Sequence, residues 1–331
     1  MKRKIIGVLT TIICLGSLIA GCSSTSQTQN SEDKKENIEV DVVMPDGLPA
    51  VSMAKLVKEN PMIKEGYNIT YDVENTPDAL STTVMKQEAE IAIVPSNMAA
   101  IAYNKTSNYQ IVATTGLGSF YLVSTKDING FEDLKGMEVG NTGKGLTPDI
   151  TMQSILKEKG VNIEEVNFTY VNAANELVPL LATGKLSTGI VPEPALSALM
   201  SKNPDIKIIK SLNEEYKEVT GSEFGYPQAT IIVRSDFVKE NTEFVNEFLN
   251  SAEESVKFAN ENPIEVGILS EGIGVTTKKD MITKSIEKAN LQYINIKDSI
   301  NEYQGYYQRL ADFDVKTLGG KLPDEGIFLE K

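Results

Sequence analysis

The feature that most constrains this chain is an order of strands and helices that recurs at an offset of 97 residues. The first copy opens with a strand, Glu39 to Met44, and a turn-rich loop, Pro45 to Pro49. A helical pattern follows from Ala50, with Met53, Ala54 and Val57 on one side. The segment Tyr67 to Val73 alternates Ile69, Tyr71 and Val73, the period of a half-buried strand. A helix spans Pro77 to Gln87, and the apolar strand Ile91 to Val94 ends in Pro95-Ser96-Asn97 before a further helix from Met98. Strand Gln110 to Thr114 then runs into Gly116-Leu117-Gly118. Strands that alternate with helices imply parallel sheet.

Shifted by 97, Met44 and its loop fall on Asn141 and Thr142-Gly143-Lys144-Gly145. The alternating strand falls on Val166, Phe168 and Tyr170, and Ile93-Val94-Pro95 falls on an identical Ile190-Val191-Pro192. Two similar α/β units in tandem account for this. Two apolar segments, Phe120 to Val123 and Ala229 to Val233, read as connections between the units, and beyond Arg234 the pattern is helical. The second unit is therefore inserted in the first, and two crossing strands make a hinge. The expected organisation is a first lobe over 38–122, a second over 123–228, and a return to the first over 229–331.

The start of the chain has a different character. Lys2, Arg3 and Lys4 precede an apolar run from Ile5 to Ala20, which closes on Ile19-Ala20-Gly21-Cys22. A basic start, a short apolar core and small residues before a cleavage point form a secretory signal over 1–21, with Cys22 as the lipidation site. The run is shorter than the about 20 residues a membrane span needs. Residues 22–37 read as a polar flexible linker. The body is then extracytoplasmic, held to the membrane by its lipid alone. Removing residues 1–21 takes three basic residues and no acidic ones, so the formal charge moves from −14 to −17. That charge disfavours nucleic acid and anionic lipid as partners. With no His and no Cys beyond Cys22, the body has no Ser-His-Asp or Cys-His catalysis and no thiolate or His metal site. A cofactor is not expected.

In parallel α/β sheets, ligands sit beyond the carboxyl ends of the strands. The loop from Gly143 to Asp149 carries the most chemistry. Gly143 and Gly145 let backbone N–H groups approach a ligand, Thr147 is placed to cap a helix and Pro148 suits its first turn. Such a helix start favours an anion, and Lys144 either adds a full charge or faces solvent. Glu193, between Pro192 and Pro194, either holds an amine or ring N–H of a ligand or bonds a nearby N–H or lysine. Ser96 and Asn97 are neutral donors, for a ligand or as caps. Gly116 either admits a ligand or makes the turn into the hinge. Tyr121 and Tyr226 supply flat walls to a pocket in a chain without Trp, or pack at the hinge.

Together with the lipobox, the loops Pro45-Asp46-Gly47-Leu48-Pro49, Gly143 to Asp149 and Val191-Pro192-Glu193-Pro194 resemble the nitrate/sulfonate/taurine (NitT/TauT) type of ABC-importer substrate-binding proteins. The resemblance runs from Ile38 to about Leu310 and rests on the order and spacing of short motifs. It implies a type II periplasmic-binding-protein fold that closes on a small ligand and docks, as a monomer, on a permease with its ATPase. By the same resemblance, Gly47, Leu48, Ser96, Asn97, Gly116, Gly143, Lys144, Gly145, Thr147 and Glu193 lie at the ligand. The resemblance carries over no single cargo; the expected one is a small organic anion such as a sulfonate, the alternative a heterocyclic vitamin precursor with Glu193 holding a ring amine. Other readings are an extracellular sensor and an enzyme of the same fold. The export signal and the lack of His count against the enzyme.

Overall fold

The computed structural model describes residues 37–329. The expected signal segment 1–21, the expected lipidation site Cys22 and the expected linker up to residue 36 lie outside them. Eleven strands form two sheets among the described residues: β1 Ile38–Pro45, β2 Tyr67–Glu74, β3 Ile91–Pro95, β4 Tyr109–Leu117, β5 Phe120–Ser124, β6 Glu138–Thr142, β7 Asn167–Val171, β8 Thr188–Pro192, β9 Lys207–Ser211, β10 Pro227–Arg234 and β11 Leu291–Asn295. The first sheet has the order β11-β4-β10-β3-β1-β2 and the second β7-β6-β8-β5-β9. Reversed, the second reads β9-β5-β8-β6-β7. It then matches β4-β10-β3-β1-β2 strand for strand, and β8 is β3 shifted by 97 residues.

The sheets are mixed rather than purely parallel. In each, the inner strands pair in parallel (β1 with β2 and β3, β6 with β7 and β8). One crossing strand lies antiparallel between the third and fourth members: β10 between β3 and β4, β5 between β8 and β9. The two apolar segments read as connections are thus full sheet members. β3 shows why a short β-branched run becomes a central strand: Ile91, Ala92, Ile93 and Val94 are all at 0% exposure, covered on both faces. The edge strand β2 keeps its alternation, with Asn68, Thr70 and Asp72 exposed.

Helices cover both sheets. Before the first crossing come α1 Leu48–Ser52, α2 Ala54–Glu59, α3 Pro77–Met85 and α4 Ser96–Thr106. In the second lobe are α5 Thr147–Glu158, α6 Ala174–Ala182, α7 Ala195–Lys202 and α8 Leu212–Thr220. After the return come α9 Ser235–Glu240, α10 Thr242–Glu261, α11 Pro263–Gly272, α12 Lys279–Ser285 and α13 Ile296–Asp314. α10 buries Phe244, Val245, Phe248, Leu249, Ala252, Val256 and Ala259, a stripe at helical spacing, on the first sheet. The C-terminal region is not wholly helical, since β11 adds an antiparallel strand that covers β4. No helix among the described residues is long and apolar enough to cross a membrane.

The two crossings lie side by side. Gly118 donates its N–H to the Tyr226 carbonyl (3.1 Å), and Ser119 donates its N–H to Gln228 Oε1 (2.9 Å). The two lobes are thus joined by a paired hinge at Gly118–Ser119 and Tyr226–Gln228.

Candidate functional site

A cavity of about 200 Å³ lies between the lobes, beside this hinge. The first lobe contributes the start of α1 (Leu48, Pro49), the β3–α4 junction (Pro95, Ser96, Asn97) and Gly116. The second contributes Phe120 and the start of α5 (Thr147, Pro148). The hinge adds Ser119, Tyr226 and Gln228, and the return chain adds Ala289, Leu291 and Tyr306. Among the described residues, no charged side chain lines it. The enclosure suits a small solute with an apolar body and a polar end.

Each wall follows from local sequence. Pro95 ends β3 in the extended conformation and is the N-cap of α4, so Ser96 and Asn97 are the first two helical residues. Their N–H groups have no intrahelical acceptor, and the helix dipole adds positive potential there. Ser96 is fixed: its hydroxyl donates to the Pro227 carbonyl (2.8 Å), and its own carbonyl accepts the Tyr307 hydroxyl (2.7 Å). Asn97 is half-buried and, among the described residues, none bonds its amide. Across the cavity, Leu146 is the N-cap of α5, so Thr147 is its first residue and not its cap.

The glycine loop before α5 works differently from the expectation. Gly143 (φ +62°) and Gly145 (φ +72°) adopt the left-handed conformation that favours glycine. The anion that meets the loop is the protein's own. Buried Asp149 accepts the Gly145 N–H (2.8 Å), the Asn141 amide (3.2 Å), the Tyr170 hydroxyl (2.8 Å) and the Gln153 amide (2.9 Å). Lys144 lies with its ammonium 5.4 Å from the centre of the Tyr170 ring. Gly143, Lys144 and Gly145 stay off the cavity, and their contribution is to shape the approach to Thr147.

Glu193 also turns inward. It is 3% exposed, its two oxygens accept the Ser197 N–H (3.0 Å) and hydroxyl (2.9 Å), and the Lys288 ammonium is 3.8 Å away. Burial pushes its pKa up, opposed by the two Ser197 bonds and then by Lys288. Of its sequence alternatives, the structure contains the bond to a nearby N–H and the lysine. The start of α7, which matches that of α4 in the repeat, is therefore occupied by a resident carboxylate.

Six of the twelve residues singled out in the sequence meet at the cavity: Leu48, Ser96, Asn97, Gly116, Thr147 and Tyr226. Gly47 sits just behind Leu48 as the N-cap of α1 with φ +107°. Tyr121 is buried outside the cavity, and its hydroxyl donates to the Lys288 carbonyl (2.7 Å). Gly143, Lys144, Gly145 and Glu193 complete the group that lies off it. Tyr226 is 2% exposed and stacked on Tyr306, with centroids 5.5 Å apart at 26°. Burial holds its hydroxyl well above the usual tyrosine pKa, so it is neutral. Sequence reasoning passed over Tyr306 and Gln228, which come from a helix face and a crossing strand instead of a strand-end loop. The available signal was the trio Tyr303, Tyr306 and Tyr307, at the spacing of one helix face.

A family model described as NMT1/THI5 like matches residues 64–266. No curated protein matches the sequence. Among solved structures, the chain is similar to an ABC transporter from Parabacteroides distasonis, with 24% identity over 89% of this chain and 100% of that one and a TM-score of 0.77. The periplasmic aliphatic sulphonate binding protein SsuA from Escherichia coli is 12% identical over 88% of this chain and 92% of its own, with a TM-score of 0.71. The periplasmic nitrate-binding protein NrtA from Synechocystis PCC 6803 is 12% identical over 86% and 84%, with a TM-score of 0.59. At these identities the likeness is one of fold.

Proposed function

The chain belongs to the NMT1/THI5-like family, and from that premise we propose that it is an extracytoplasmic solute-binding lipoprotein of an ABC importer. Its cargo is a small organic monoanion, sulfonate-like, held between the lobes and delivered to the permease. The observation that carries this reading is the cavity wall. The first turns of α4 and α5, one from each lobe, line one enclosure that has no charged side chain among the described residues. Each helix start offers about half a positive charge. Together they suit one negative charge and leave a dianion under-compensated. The Ser96 N–H, Asn97 and Thr147 lie at that end, and Leu48, Phe120, Leu291 and the tyrosines enclose the remainder of the solute. The described fold neighbours include sulfonate- and nitrate-binding proteins, which agrees with this class. A second reading rests on the stacked Tyr226 and Tyr306, which also suit a flat ring, as in a heterocyclic precursor.

Thermal shift with alkanesulfonates, nitrate, small carboxylates, sulfate and uncharged ring compounds separates these readings. A ligand at a hundred times its Kd adds about 2.7 kcal/mol of stability. Monovalent sulfonates are expected to raise the midpoint more than sulfate does. A shift with ring compounds alone supports the second reading, and no shift with any of them removes both. For the anion, Asn97→Ala is expected to weaken binding about 10- to 100-fold, the value of a hydrogen bond to a charged group. Lys144→Ala should leave affinity unchanged. Isothermal titration of both variants checks the pair.

A further inference from the structure

Helix α13 is bound to both lobes. Toward the first lobe, the Tyr303 hydroxyl shares hydrogen bonds with Thr114 of β4 (2.8 Å) and Thr230 of β10 (2.7 Å), and the Tyr307 hydroxyl donates to the Ser96 carbonyl at the start of α4. Toward the second lobe, the Tyr306 hydroxyl lies 3.1 Å from Thr151 Oγ1 on α5. One turn later Arg309 donates to Glu158 Oε1 (2.9 Å) and Ser154 Oγ (3.2 Å), and its guanidinium lies 5.8 Å from the centre of the Tyr216 ring on α8. These bonds join α13 to α5 and α8 across the lobes, so any motion that parts α5 from α13 must break them.

Tyr306 differs from the rest of this seam because its ring also walls the cavity. Its partner is connected to the cavity too. Thr151 donates its hydroxyl proton to the Thr147 carbonyl (2.7 Å), which leaves Tyr306 as donor to Thr151, and Thr147 lines the opposite wall. A continuous path thus runs from the cavity through Tyr306 and Thr151 back to the cavity at Thr147, crossing from lobe to lobe. On the other flank Tyr121 bonds the Lys288 carbonyl across the lobes, but Tyr121 does not touch the cavity.

We propose that Tyr306 is a positioning residue that converts contact with the solute into closure of the lobes, with Arg309 holding the same seam at its outer edge. This rests on the binding-protein reading for its solute. A solute packed between the Tyr306 ring and the start of α5 stabilises the arrangement in which the Tyr306–Thr151 bond exists. That bond in turn lowers the population of open protein from which solute escapes.

The test uses the full chain with hexanesulfonate as probe. Tyr306→Phe keeps the ring and removes the hydroxyl, and Thr151→Val removes the partner from the other lobe. Each is expected to release the probe about three- to tenfold faster, with the association rate nearly unchanged. Thr151→Val also loses the bond to the Thr147 carbonyl, so the double variant should be no worse than Thr151→Val, in which the Tyr306–Thr151 bond is already gone. Additive losses, or a loss in only one single variant, overturn the proposal. If the wild type binds no sulfonate, the functional reading fails separately, and closure is then read from small-angle scattering of ligand-free protein. A larger radius of gyration for Tyr306→Phe/Arg309→Met than for the wild type, with unchanged circular dichroism, sustains the seam. Superimposable curves refute it.

Discussion

Glu193 is a carboxylate with almost no access to water, bonded twice to Ser197, with one ammonium 3.8 Å away. Burial raises its pKa above the ordinary value of 4.5, and the Ser197 bonds and Lys288 only partly oppose this. The folded state therefore binds the proton more tightly than the unfolded one. The stability this confers is full below the ordinary carboxylate value and is lost as pH rises through the raised one. Glu193→Gln removes the titration and keeps the shape. Its melting temperature should lack the decline that this group adds to the wild type as pH rises from about 4.5 toward neutrality, and at pH 7 the variant should melt higher. A variant with the wild-type slope over that range contradicts the assignment. The same residue shows what is hard to read from sequence. A carboxylate between two prolines at a strand end is identical on paper whether it meets a ligand or the next helix. Ser197, one turn on, decides the matter by offering both an N–H and a hydroxyl. Ser96 and Asn97 were legible because the N-cap of their helix is Pro95, which brings no side-chain acceptor to its first turn.

The loop before α5 shows how an element can reserve its own anion. Asp149 gathers four donors from a strand, a loop, a neighbouring strand and its own helix, all around one buried carboxylate. Asp149→Ala leaves those donors without an acceptor and is expected to cost about 3 kcal/mol or more in urea unfolding. Asp149→Asn, which retains one oxygen, should cost less. A change below about 1 kcal/mol for Asp149→Ala would mean that the four bonds carry little net energy. Displacing the loop also moves Thr147 and Pro148, so solute affinity should fall with stability in these variants. Element order was largely legible. Apolar runs such as Ile91–Val94, the alternation in β2 and the 97-residue offset are properties of the chain itself, and the matching strand orders follow them. β11 was not legible. It is five residues long, follows a left-handed Asn290 (φ +50°), exposes Gln292 and leaves Tyr293 and Asn295 half-buried, so neither a clean alternation nor an apolar run marks it. Its pairing with β4 is a tertiary effect.

Across the whole molecule the lobes differ in how their sheets are assembled. The five strands of the second sheet lie within one continuous stretch, Phe120 to Ser211. The first sheet cannot be completed until β10 returns from that stretch to lie between β3 and β4. The second lobe therefore acts as a loop whose closure the first sheet requires, and a folded insert brings the ends of that loop together at less entropic cost than an unfolded one. The lobes also share apolar packing. One buried cluster includes Val43, Leu80 and Tyr303 from the first lobe with Phe131, Ile155 and Tyr216 from the second, and the stacked Tyr226 and Tyr306 belong to it. Damage in the second lobe should thus be felt in the first. Leu177 is at 0% exposure in a cluster made only of second-lobe residues, and Leu177→Ala there is expected to cost about 2–5 kcal/mol. Far-ultraviolet circular dichroism reports both lobes, and the near-ultraviolet signal of the buried tyrosines includes Tyr109, Tyr303 and Tyr307, which pack on the first sheet. If the lobes unfold together, both signals shift by the same amount in Leu177→Ala and retain a single midpoint. A tyrosine signal that keeps the wild-type midpoint would make the lobes independent. Tyr306 could then couple solute to closure without coupling the two folds.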